Sequence, residues 1–174
     1  MNASGDRMLI VGMGNELLSD EGLGIHVVRS LLDTRSSLPA EVQILEAGTA
    51  LLDALEEMSG YPRVILVDAV RAGRDPGTLY RWEVVSDSIR RFETLPPTSL
   101  HDWDLIDTLR ASEMLGLLPK NITLFGAEPE FLEPGMELSP KVARAAEQLI
   151  AILREEVSSQ CGHRRLRDAD TPSI

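Results

Sequence analysis

Apolar residues fall along this chain in short runs that alternate with amphipathic segments. Met8–Gly12 is an apolar run that ends in glycine, and residues 63–70 (RVILVDAV) are nearly all apolar. Runs of this length without alternation are typical of strands buried on both faces of a parallel sheet. Residues 41–48 (EVQILEAG) and 121–129 (NITLFGAEP) predict two further strands.

One segment has a different periodicity. Residues 78–85 (TLYRWEVV) alternate with period two, which is typical of a strand with one exposed face. The segment follows its predecessor through a loop that is too short for a crossover helix. We therefore expect an antiparallel strand at or near an edge of the sheet.

Four helices are predicted between and after these strands. Asp20 and Thr49 are expected to cap the first two helices, and Ser139 the last. The third is expected over residues 103–115. This β-α order predicts a three-layer α/β fold, a twisted and mostly parallel sheet of about five strands with helices on both faces. We predict a single domain over 1–158, followed by a polar, disordered tail over 159–174.

Composition narrows the function classes. The chain has 174 residues, with 17 Lys plus Arg against 28 Asp plus Glu and a net charge of −11. Phosphate neutralisation requires basic residues, so nucleic acid is not an expected partner. The one cysteine, Cys161, leaves no internal disulfide. No signal peptide or membrane span is evident, and we expect a cytoplasmic monomer without a membrane partner.

The loop after the first strand, in MLIVGMGNELLSDEGLG, raises the question of phosphate binding. Gly12 and Gly14 fit the start of a dinucleotide loop, but Leu17 occupies the place of its third glycine. The same segment carries the acids Glu16, Asp20 and Glu21, which repel phosphate and attract metal ions. A nucleotide-binding function therefore rests on the first two glycines alone.

Three residues are candidates for a metal site. Glu16 follows the first strand, Asp68 closes the third, and His101 is expected in the loop before the third helix. Ligands bind at the carboxyl edge of open α/β sheets, where all three are expected. Such a mixed oxygen and nitrogen site would keep positions open for another molecule. In the alternative, Asp68 caps the following turn and His101 is an ordinary surface residue.

The loop also resembles the signature of the nickel–iron hydrogenase maturation endopeptidases. The matching positions are Gly12, Gly14, Asn15, Glu16, Asp20, Glu21 and Gly22. Two later blocks agree in order: VILVDAV followed by DPGTLYRWE, which contains Asp68, and TSLHDWDLIDTLR, which contains His101. LFGAEPE and LSPKV are similar to the family's final part. The resemblance covers residues 8–155.

The resemblance implies a phosphorylase/hydrolase-like α/β fold and a specific activity. Members of this family remove a C-terminal extension from the hydrogenase large-subunit precursor after nickel insertion. Glu16, Asp68 and His101 would contact nickel that belongs to the substrate, and would act in catalysis. Whether nickel takes part in hydrolysis or serves only for recognition stays open. The alternative is a non-catalytic checkpoint protein that binds the precursor and detects nickel without cutting it.

Overall fold

The structure, a computed structural model, describes residues 7–84 and 100–168, and in the second stretch the side chains at 105 and 107–159. Within these ranges five strands form one sheet: β1 (Met8–Met13), β2 (Val42–Gly48), β3 (Arg63–Ala69), β4 (Leu79–Val84) and β5 (Asn121–Ala127). The α-helices are α1 (Leu23–Asp33), α2 (Leu51–Ser59), α3 (Leu100–Met114) and α4 (Pro140–Asp168).

The sheet has the strand order β2-β1-β3-β5-β4. The pairs β1–β2, β1–β3 and β3–β5 are parallel, whereas β4 runs antiparallel to β5 at the edge. The predicted mostly parallel sheet with an antiparallel edge strand is therefore confirmed. Because the parallel strands point the same way, the loops after β1, β3 and β5 meet at one carboxyl edge.

Each face of the sheet has its own apolar core. Ile65 and Val67 of β3 pack with residues of α1 and α4, whereas Val64 and Leu66 pack with residues of α2 and α3. This division follows from the period of two along a strand, which sends successive side chains to opposite faces. The predicted three layers are confirmed. Whether a residue of β3 has an even or an odd number, its parity, gives the face to which its side chain points.

The structure confirms one of the three predicted helix caps and contradicts the other two. The Ser139 hydroxyl accepts the Val142 N–H at 3.4 Å, as a cap of α4 should. The prediction for Asp20 was wrong, because neither the short 3-10 helix Ser19–Gly22 nor α1 has a side-chain cap. Thr49 was also wrong as a cap, because Ala50 precedes α2 and makes no such bond.

Two helices extend further than the apolar pattern predicts. Helix α3 begins at Leu100, so His101 lies in its first turn and not in a preceding loop. Helix α4 continues past Ser158 to Asp168, whereas we expected a disordered tail from residue 159. Apolar periodicity marks only the part of a helix that packs against the core, so it gives no signal for the ends of these helices. Residues 169–174 lie outside the described residues.

Close packing of α1 on the sheet depends on a glycine that the motif comparison did not single out. A Cβ at Gly24 would overlap the carbonyl oxygens of Val67 and Met13. The helix backbone therefore approaches β1 and β3 directly. The 3-10 turn Ser19–Gly22 delays the start of α1, so this close approach falls at Gly24 and not at Leu17, where a dinucleotide loop would have it.

In the part of the chain that the structure describes, every helix is too short or too polar to cross a lipid bilayer.

Candidate active site

The glycine loop brings two acidic residues close to each other. Gly14 has a φ of +116°, and a Cβ at this position would overlap the carbonyl oxygen of Glu21 and lie 3.6 Å from Asp68 Oδ1. Only glycine fits both the dihedral angle and the available space. The backbone of Glu21 is therefore folded over Gly14, beside the carboxylate of Asp68.

Asp68 lies buried near the end of β3. It has the parity of Val64 and Leu66, so its side chain leaves the sheet on the face covered by α2 and α3. Its Oδ1 accepts the N–H of Ala69 at 2.8 Å, so part of the turn-capping alternative is also met. Asp68 therefore holds the local backbone and also places a carboxylate at the carboxyl edge of the sheet.

Glu16, the predicted partner of Asp68, is held on the other side of the sheet. Its carboxylate pairs with Arg29 of α1, whose Nε also donates to Glu46 at 3.0 Å. Glu46 shares its parity on β2 with Ile44, which packs against the core beneath α1 and α4. The hydrogen bond and the charge of Arg29 lower the pKa of Glu16. Glu16 therefore faces α1.

Glu21 is the acid that the sequence reasoning placed in the loop without assigning it a role. It is buried in the 3-10 helix Ser19–Gly22, and its Oε1 lies beneath the surface. Burying a carboxylate is costly, so a buried acid next to a second one is a candidate for function. The three acids of the loop were visible in the sequence, but no periodicity indicates which of them pairs with Arg29 and which are buried.

His101 lies outside the residues whose side chains are described, so its predicted meeting with the acids stays a prediction. Its backbone position is informative. Helix α3 has 15 residues and leads into the amino end of β5, which has 7. The helix spans roughly 22 Å and the strand roughly 23 Å, so the first turn of α3 reaches the level of the carboxyl edge. Helix α3 also covers the face of the sheet from which the Asp68 side chain leaves.

Among the described side chains, no group of three or more His, Cys, Asp or Glu residues is arranged to hold a metal ion. The predicted set of Glu16, Asp68 and His101 is not complete within that part of the chain. His26 of α1 lies outside this set, with its Nε2 3.1 Å from the carbonyl oxygen of Met136 in the β5–α4 loop.

A further buried acid lies at the same edge and was missed in the sequence. Glu128 follows β5, and its carboxylate accepts the N–H groups of Ala72 and Gly73 at 2.9 and 3.1 Å and the hydroxyl of Tyr80. Burial raises its pKa, but these hydrogen bonds outweigh burial and the net pKa is lowered. Burial and the neighbouring carboxylate raise the pKa of Tyr80. Glu128 thus fixes the loop that follows Asp68.

We expect Glu128→Gln to lower the free energy of unfolding by about 2 kcal/mol at neutral pH, because the substitution removes charged hydrogen bonds. The folded state lowers the pKa of Glu128, so its contribution is complete above the ordinary value of 4.5 and disappears as the pH falls through the lower folded value. Urea unfolding of both proteins across this range measures the difference. Exposed Glu113→Gln is the control, and a difference that persisted in acid would contradict the assignment.

Comparison with known proteins fits this geometry. Residues 25–156 match the family model described as hydrogenase maturation protease. The hydrogenase 2 maturation protease of Escherichia coli is 38% identical over 159 residues, covering 86% of this chain and 92% of the relative. The chain belongs to the hydrogenase maturation protease family. It is therefore a peptidase, and family membership favours hydrolysis over a non-catalytic checkpoint.

Solved structures of family members share the fold. The maturating endopeptidase HybD of E. coli superposes with a TM-score of 0.69 and 35% identity, covering 86% of this chain and 93% of its own. The [NiFe] hydrogenase maturation protease HybD of Thermococcus kodakarensis gives a TM-score of 0.72 at 25% identity, covering 87% and 99%. The predicted family and its α/β fold are confirmed. The cytoplasmic location and the monomeric state stay predictions.

Proposed function

We propose that this peptidase removes the C-terminal extension of a nickel–iron hydrogenase large-subunit precursor after nickel has been inserted. The names of its relatives support the substrate class, since the E. coli protein is called a hydrogenase 2 maturation protease and the Rhodobacter capsulatus HupD a hydrogenase expression/formation protein. The latter is 35% identical over 147 residues. Which hydrogenase is the partner is a question for experiment.

The observation that carries the proposal is that Glu21 and Asp68 are both buried, and that the Glu21 backbone and the Asp68 carboxylate both approach Gly14 on the carboxyl edge. Carboxylates are ligands for divalent metal ions and also general bases for the attack of water on a peptide bond. His101, in the first turn of the helix on the same face, would add a nitrogen ligand.

The acid that works with Asp68 comes from the glycine loop, and two residues compete for the role. Glu16 is the residue implied by the motif, but Arg29 already neutralises its carboxylate on the α1 side. The backbone of Glu21 lies close to the Asp68 carboxylate at Gly14, and the Glu21 side chain is buried. The geometry favours Glu21, and substitution of each acid in turn distinguishes them.

An incomplete ligand set suits a metal that arrives with the substrate. Two carboxylates and one imidazole leave coordination positions open, which thiolates of the precursor would occupy. Nickel here is part of the substrate, and its presence would mark a precursor as ready for cutting. A carboxylate of Glu21 or Asp68 that is not bound to nickel would accept the proton of the attacking water.

Incubation with a cognate precursor, with and without nickel, tests this function. We expect purified protein to shorten the nickel-loaded precursor at its C-terminus and to leave the nickel-free precursor intact, as measured by mass spectrometry. Equal shortening of both precursors would contradict nickel recognition. An intact nickel-loaded precursor that binds the protein would instead contradict the proposed cleavage.

A further inference from the structure

Beside the candidate site, the glycine loop is joined to the loop that connects β5 to α4. The Gly135 N–H donates to the carbonyl of Leu17 at 2.9 Å, and the Ser19 N–H donates to the carbonyl of Gly135 at 2.7 Å. Asp20 strengthens this junction, since its carboxylate accepts the N–H groups of Glu130 and Phe131 at 2.8 and 2.9 Å. The two loops therefore form one hydrogen-bonded unit.

This unit presents an apolar patch to the surface, made of Leu17, Phe131 and Met136. Their exposed fractions are 59%, 51% and 60%. Apolar side chains exposed on mobile loops are common, but here the backbones of Leu17 and Phe131 are hydrogen-bonded between the two loops, and the Met136 carbonyl oxygen lies 3.1 Å from His26 Nε2. Keeping apolar side chains in water on an ordered backbone is characteristic of a binding surface.

The patch adjoins the candidate acids. Leu17 belongs to the same loop as Glu21, and Phe131 and Met136 follow the carboxyl end of β5. The unit therefore lies on the carboxyl edge of the sheet, where β3 ends at Asp68 and Ala69. The exposed Met114 lies at the opposite edge of the sheet, because it ends α3 just before the amino end of β5.

Two exposed acidic residues lie close to the patch along the chain. Glu133 is three residues before Met136 and Glu137 directly follows it, whereas the nearby Glu16 is paired with Arg29. The nearby cation Lys141 is paired with Glu130 at 2.6 Å. The surface is therefore apolar at its centre and negative at its rim, within a chain whose net charge is −11. Its complement is an apolar segment flanked by lysine or arginine.

We propose that the apolar patch docks such a segment of the precursor, outside the residues that are cut. The proposal rests on the proposed function, because it takes the precursor as the occupant. An enzyme that cuts one bond in one protein obtains specificity from contacts remote from that bond, and buried apolar side chains at the centre of an interface supply most of them. The patch would hold the precursor while its C-terminal extension reaches Asp68.

Serine substitutions in the patch test the docking role. Leu17→Ser and Phe131→Ser should each raise KM for precursor cleavage about tenfold and leave kcat unchanged, because the lost contacts are made equally before and during the reaction. Met114→Ser is the matched control, since Met114 is 88% exposed at the far edge, and its KM should equal that of the parent. Thermal unfolding verifies that each variant is folded.

Binding measured without cleavage separates this inference from the proposed function. Calorimetry with nickel-loaded precursor should give a Kd about tenfold weaker for the Asp68→Asn, Phe131→Ser double variant than for Asp68→Asn alone. Raising the salt concentration should weaken parent binding more than binding by a Glu133→Gln, Glu137→Gln double variant.

The outcomes are distinct. Cleavage by the parent with unchanged KM and Kd in the patch variants would overturn the docking surface and leave the function standing. Patch-dependent binding without cleavage by the parent would support the surface and contradict the protease function. Sedimentation showing a dimer of the parent that Phe131→Ser dissociates would assign the patch to a second copy of this chain and overturn the proposal.

Discussion

Asp68→Asn is expected to lower kcat/KM for precursor cleavage by about a thousandfold or more, because a carboxylate that binds metal or accepts a proton has no substitute in an amide. The variant should fold normally. Its side-chain oxygen can still accept the N–H of Ala69, which the parent carboxylate accepts at 2.8 Å. Cleavage of nickel-loaded precursor followed by electrophoresis measures the rate, and thermal unfolding measures the fold.

The two acids of the glycine loop provide the matched comparison for this experiment. We expect Glu21→Gln to reduce cleavage as severely as Asp68→Asn, since Glu21 is buried and its backbone lies next to that carboxylate at Gly14. Glu16→Gln should change the rate less than about threefold, because it disrupts only a partly exposed ion pair with Arg29. The reverse order, with Glu16 essential and Glu21 dispensable, would contradict the geometric assignment and favour the residue that the motif implies.

Asp20→Ala is expected to give the largest loss of stability, about 3–5 kcal/mol in the free energy of unfolding. Its carboxylate is fully buried and accepts the N–H groups of Glu130, Phe131 and Ser139 at 2.8, 2.9 and 2.6 Å. Alanine would leave these donors without their acceptor. It would also weaken the junction between the glycine loop and the β5–α4 loop, leaving their backbone hydrogen bonds in place.

Urea unfolding monitored by circular dichroism measures this loss. Glu137→Ala, an exposed acid in the same β5–α4 loop, is the control and should shift the free energy by less than about 0.5 kcal/mol. A loss below about 1 kcal/mol for Asp20→Ala would show that water or other acceptors replace its carboxylate. The junction between the two loops would then have to be stable for another reason.

Asp68→Asn and Asp20→Ala affect the same site in different ways. Asp68 is placed to act on the substrate, whereas Asp20 acts through the backbone that carries Glu21 and the apolar patch. Asp20→Ala should therefore lower stability and activity together, while Asp68→Asn lowers activity alone. Comparing the two variants separates the effect of losing the Asp68 carboxylate from the effect of losing the hydrogen bonds of Asp20 that hold the loops.

The sequence by itself determined the sheet and its layers. Continuous apolar runs predict buried parallel strands, and the alternation in TLYRWEVV predicts the antiparallel edge strand, since both patterns report local burial directly. The family was also accessible from sequence, because three blocks resemble those of the family in the same order, and a family member that is 38% identical confirms it. Asp68 became a candidate because an acid that closes an apolar run is conspicuous.

Only the tertiary structure decided where each acid of the glycine loop lies. Glu16, Asp20 and Glu21 belong to one short loop, yet Glu16 pairs with Arg29 of α1, Asp20 holds the loop before α4, and Glu21 is buried with its backbone near the Asp68 carboxylate. Their directions depend on the positive φ of Gly14 and on the 3-10 turn Ser19–Gly22, neither of which has a periodic signal. The partners Arg29, Glu46, Glu130 and Ser139 are far away in the chain. Contacts between distant residues form only when the sheet and its helices are assembled, so residue spacing alone could not assign these three carboxylates.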